Sequence, residues 1–193
     1  MFTQHFLALV LTLAAFVLLT LITFSVPFIS NFYFLWTSEA GGVRFGIWGW
    51  CLDNAHTCLN PKQWGYAWDP QLIPWLLKGL ILFPIAAGIC LLAILSIVPL
   101  LFSYHPHRYY PPPMFSFFAL AGWLASFLAA LDVGVLFGVG MHRFHKDGFS
   151  AHFGPLLWMA IGAAVAMTIV ALSSGCGMLC RGRMGRTYSS YNV

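Results

Sequence analysis

The stretch "GIWGWCLDNAHTC", residues 46–58, sets Trp48 and Trp50 beside Cys51 and places Cys58 a short interval further on. It is an aromatic, cysteine-bearing module with Asp-Asn turn chemistry in a chain that is otherwise fatty: of 193 residues, 60% are hydrophobic and 7% charged, with a mean hydropathy of +0.82. Soluble domains carry roughly a quarter of their residues as charges. The composition therefore excludes a water-soluble globule and places the chain among membrane proteins.

Working outward from this module, long apolar runs appear on both sides. Crossing a hydrocarbon core takes about 20 apolar residues in a helix, and residues 6–26, 73–102, 115–139 and 156–178 meet that length. The second run is interrupted by Pro84 and Pro99, which remove backbone donors and are expected to bend it. The third carries one acid, Asp132. Helices are expected, because barrel strands alternate and do not give unbroken apolar runs. The first run is longer than the core of a secretion signal and no small-residue cleavage site follows it, so it reads as a retained helix. The organisation expected is one four-helix membrane domain over residues 1–180 and a short basic tail over residues 181–193.

Four crossings put both termini and the loop 103–114 on one side, and the loops 27–72 and 140–155 on the other. Arg108, Arg181, Arg183 and Arg186 oppose Arg44, Lys62, Lys78, Arg143 and Lys146. The positive-inside rule decides little on so even a count, although "RGRMGR" abutting the last run favours cytosolic termini. Cysteine adds a constraint, since a disulfide persists only in an oxidising compartment. A Cys51–Cys58 bridge would place loop 27–72 outside, in agreement with a cytosolic tail. The alternatives are two free thiols, or zinc with His56 as a third ligand, a spacing that fits no familiar zinc pattern. Neither a metal nor a cofactor is expected. Residues 43–52 mix β-branched and aromatic side chains with glycine and read as a strand entering a turn, with Gly46 and Gly49 allowing close approach. So small a sheet buries little core, and a disulfide staple is the usual remedy.

Trp36, then Gly46-Ile47-Trp48, then Cys51 after two further residues, then Cys58, all between the first two spans, resembles the claudin-type W…GLW…C…C arrangement. "GIWGWC" is more similar still to the fungal PalI tetraspans and their eisosome-associated, SUR-type relatives, whose first loop carries G-x-[WF]-G-x-C. The resemblance implies a four-transmembrane-helix bundle, all-α, with a small disulfide-stapled extracellular antiparallel β-sheet built from the first loop. It also implies a plasma-membrane location in a fungus, cytosolic termini and a part in ambient-pH signalling. Two departures stand out. The interval between the cysteines is shorter than in claudins, and the long tail of many PalI-type members has no counterpart here.

Other residues carry separate expectations. Asp132 is costly inside a membrane and is expected to make a polar contact to Thr168, Ser173, Ser174 or a threonine of the first helix, in preference to serving a proton or ion path. Gly134 and Gly138 form a G-x-x-x-G pair, read as internal packing ahead of a partner contact. His142, His145 and His152 are candidate pH-responsive groups, against a plainer role in solvating a loop. Cys176 and Cys180 are candidate S-acylation sites, against free thiols. Arg181, Arg183 and Arg186 would attract anionic lipid, at about 1 kcal/mol each. No paired acids, nucleophile elbow, phosphate loop or H-E-x-x-H motif is present.

The function expected is a non-enzymatic tetraspan that organises a membrane domain or supports a membrane complex. Its partners would be the lipid bilayer and another membrane protein or a second copy, with no nucleic acid and no small-molecule substrate. Trp48, Trp50 and the cysteine bridge would form its recognition surface. Competing readings are a small transporter or channel subunit using Asp132, and a claudin-type barrier or adhesion protein.

Overall fold

The computed structural model describes residues 2–53, 57–58, 65–102 and 113–184. In chain order it comprises α1 (Phe2–Thr23), β1 (Leu35–Thr37), β2 (Val43–Phe45), β3 (Trp50–Leu52), α2 (Pro74–Gly79), α3 (Leu82–Phe102), α4 (Pro113–Lys146), β4 (Ala151–Phe153) and α5 (Pro155–Met184). Four helical spans are long and apolar enough to cross a membrane, and in none is more than 39% of the side chains buried. Their outward faces are leucine, valine and isoleucine, as at Leu13, Leu95, Leu131, Val165 and Ile169. Their contact faces are small, with Ala15, Ala86, Ala129, Ala160 and Ala163 buried. This is the composition expected where lipid replaces water and close backbone approach supplies the cohesion. The helices form a ring: α1 packs on α3 and α5, and α4 packs on the same two.

The second span is broken. α2 stops at Gly79 and α3 begins at Leu82. Pro84 has no N–H to offer the Leu80 carbonyl, which instead takes the Phe83 amide at 3.2 Å. The interruption therefore falls ahead of Pro84, whereas Pro99 lies within the continuous run of α3. Three helices open on a proline, Pro74, Pro113 and Pro155, where the missing donor costs nothing.

α4 runs well past residue 139. The segment expected as loop 140–155 is helix as far as Lys146, then a turn, then β4. The helix ends where the Phe149 amide reaches the Phe144 carbonyl (2.9 Å) and the Gly148 amide reaches His145 (3.1 Å), with Gly148 at φ +85°. This is a Schellman stop, and Arg143, His145 and Lys146 in the last turn complement the helix dipole.

The sheet is antiparallel in the order β3-β2-β1-β4. It draws on both loops at its end of the bundle, where the sequence pointed to the first alone. Residues 43–52 form a hairpin, closed by a bond from the Gly46 amide to the Gly49 carbonyl (2.9 Å). The sheet is seated by a phenylalanine cluster. Phe34 stacks on Phe137 (centroids 5.2 Å) and meets Phe83, while Phe45 packs on Tyr66, Trp68 and Phe144. Cys51 and Cys58 are joined in a disulfide, and a β-bridge between them returns the chain onto β3.

Candidate interaction surface on the sheet

Side chains on paired antiparallel positions share a face. The register sets Trp36 opposite Arg44 and His152, and Arg44 opposite Cys51. The alternate positions Leu35, Thr37, Val43, Phe45 and Ala151 are buried against the bundle. Trp36, Arg44 and His152 are therefore turned away from it, with His152 exposed and the other two half-buried.

These residues interlock. The Trp36 indole stacks on the His152 ring (4.7 Å, 27°) and donates Nε1–H to Asp53 Oδ2 (3.0 Å). Asp53 forms an ion pair with Arg44 (2.9 Å), which also donates to the Ser30 carbonyl and lies over the Tyr33 ring at 5.4 Å. Tyr33 meets His152 edge-on. With both charged side chains partly in water, the ion pair contributes at most about 1 kcal/mol. Its larger consequence is positional, because it fixes a guanidinium and an indole side by side. The arrangement holds no nucleophile–base pair, and no group of three or more metal-ligating side chains occurs among the described residues. What it offers is flat aromatic area beside a held cation.

The other expected recognition residues face elsewhere. Trp48 donates Nε1–H to the Thr23 carbonyl at the end of α1 (2.8 Å), and Trp50 packs edge-to-face on Trp68 (5.2 Å). Both lie against the core. Gly46 is a point of close approach, since a Cβ there would overlap the Val26 carbonyl. Ile47 is held by the Ser25 hydroxyl, and Gly49 closes the turn. The motif thus docks the hairpin on α1, and of its tryptophans Trp36 alone reaches the outward face. Asp53 and Tyr33 were not singled out from the sequence. Asp53 reads there as turn chemistry, and its charge partner is legible only once β2 and β3 are in register.

The three histidines do not form one cluster. His142 is exposed on α4. His145 grips the start of β4, its Nε2 lying 3.2 Å from the Ala151 carbonyl and 3.3 Å from the Ala151 amide. Protonated or neutral, that nitrogen retains one of the two bonds. His152 belongs to the outward face.

Among the described side chains, Asp132 does not make the contact expected of it; those of Thr3 and Ser174 lie outside the described set. Thr168 accepts from Trp123 Nε1 (3.0 Å) and donates to the Ala164 carbonyl, Ser173 bonds to Val170, and Thr12, Thr20 and Thr23 bond to carbonyls of their own helix. The Asp132 carboxyl packs on Gly79 instead. Nor are Gly134 and Gly138 internal packing positions, because nothing lies within 4 Å of a Cβ built at either. The packed glycines of α4 are Gly122, against Met167 and Cys90, and Gly140, against Leu72. Cys176, Cys180, Arg181 and Arg183 lie on the last turns of α5 with side chains outside the described set, and Arg186 lies outside the described residues.

Comparison with known proteins finds no family model and no curated protein that matches this chain.

Proposed function

We propose that this chain is a non-enzymatic plasma-membrane tetraspan that organises a membrane domain or supports a membrane complex through the outward face of its sheet. The observation that carries the reading is the row Trp36, Arg44 and His152, presented away from the bundle and held in place by Asp53. A rigid aromatic face with a fixed cation, at the end of helices whose exposed flanks are apolar, is suited to contact with another protein or a second copy. The sheet would face the exterior and both termini the cytosol, because the Cys51–Cys58 bridge needs an oxidising compartment. The resemblance of "GIWGWC" to PalI-type tetraspans adds ambient-pH signalling as the setting, with His152 the histidine best placed to respond.

The test is a Trp36→Ala, His152→Ala double variant, followed by native gel mobility of the solubilised complex. The variant is expected to reach the membrane with its disulfide intact and to migrate as a smaller species than the parent. Unchanged mobility would refute the recognition role of this face.

A further inference from the structure

One intramembrane group finds no partner among the described residues. Asp132 Oδ2 is shut off from solvent and meets no donor. The polar side chains that might have served it are engaged: the hydroxyls of Thr12, Thr20, Thr23, Ser96, Ser126, Thr168 and Ser173 each donate to a nearby carbonyl of their own helix. Lys78, the neighbour of Gly79, packs its stem against Gly65. Arg143 is bound to the Pro70 carbonyl and Arg44 to Asp53.

The carboxyl lies against the break in the second span, where Gly79 ends α2 and a Cβ would overlap it. It is only half-buried. Leu128 and Val135, which share its flank of α4 at helical spacing, are 46% and 54% exposed. Asp132 therefore turns Oδ2 to the break and stands at the edge of the flank of α4 that Leu128 and Val135 expose. An acid in such a place is retained at a cost unless something pairs with it.

We propose that Asp132 is the docking point for a transmembrane helix of a different protein that carries a lysine or arginine at matching depth. The inference rests on the assembly role proposed above and names the partner's chemistry. Depth follows from the fold. Trp75, 70% exposed at the start of α2, marks the headgroup level favoured by indole. Gly79 lies four residues further along, which places the partner cation about 6 Å inside that level. Gly79 has a purpose in this account, since its missing side chain leaves the carboxyl room beside the break.

The experiment uses the full chain in lipid vesicles with a fluorescent leucine-based transmembrane helix as probe. One probe carries a single lysine about 6 Å inside its end, and the other is leucine throughout. Energy transfer should report association of the lysine probe about tenfold tighter than that of the leucine probe. Asp132→Asn should abolish the preference and Asp132→Glu should keep it, with an intact Cys51–Cys58 bridge as the check on folding. Equal binding of the two probes, a preference that survives Asp132→Asn, or self-association that depends on Asp132 without probe binding would each overturn the proposal. Trp36→Ala should leave probe binding unchanged. A failed probe experiment beside a positive native-gel result would thus remove this inference and leave the sheet's role standing.

Discussion

Tyr66 donates its hydroxyl to the Gly46 carbonyl at 3.0 Å from a site only 4% exposed. Burial pushes the phenol above its ordinary value of 10.0. A raised folded-state value means that the unfolded chain loses this proton first. The contribution is therefore intact below about pH 10 and is lost as pH rises beyond it. Alkaline titration followed by the fluorescence of the adjoining Trp50 and Trp68 should show this loss. Tyr66→Phe should flatten that limb and lower stability by about 1–3 kcal/mol, because the Gly46 carbonyl is left without its donor. A variant with the parent's alkaline profile would show that Tyr66 does not carry the effect. Gly46 itself tolerates no side chain, since any Cβ meets Val26 backbone. Gly46→Ala is expected to lift the hairpin from α1 and cost about 1–3 kcal/mol, read as earlier thermal loss of the sheet.

At the scale of elements, the sheet depends on a helix. β4 is offered to β1 because α4 overshoots the membrane-like run and stops at Gly148. Gly148→Ala places a side chain at φ +85° and should cost about 1 kcal/mol. The expected readout is faster hydrogen exchange at the Gly154 amide, which bonds to Phe34 across this junction; unchanged exchange would mean that the stop does not position β4. The apolar runs made the four spans legible, and the staple was one of three readings that Cys51 and Cys58 left open, the one the structure bears out. β4 was not, because "AHF" is too short for alternation to appear. The end of α4 was concealed by its own polarity. "HRFHKDGF" resembles a solvated loop until Phe144 and Phe149 are seen as the two ends of a Schellman contact. Trp48 and Trp36 were indistinguishable as tryptophans; register and the end of α1 send one inward and the other outward. Asp132 defied residue-type matching because the group it touches is a glycine on another helix.

For the whole molecule, a ring of helices with apolar outer flanks carries a sheet too small to hold itself. The phenylalanine cluster seats it, and the bridge across a separation of 7 residues adds about 2.5 kcal/mol in a chain-entropy account. The inward face is spent on attachment, which leaves the outward row as the part free to meet a partner. That assignment requires the sheet to stand outside the cell with its staple closed. The most direct measurement is labelling of intact cells with a membrane-impermeant maleimide, before and after mild reduction, read by mass at Cys51 and Cys58. Labelling of both cysteines only after reduction is the predicted result. Labelling without reduction would show that the staple is open, and labelling confined to permeabilised cells would place the sheet on the wrong side of the membrane for the function proposed.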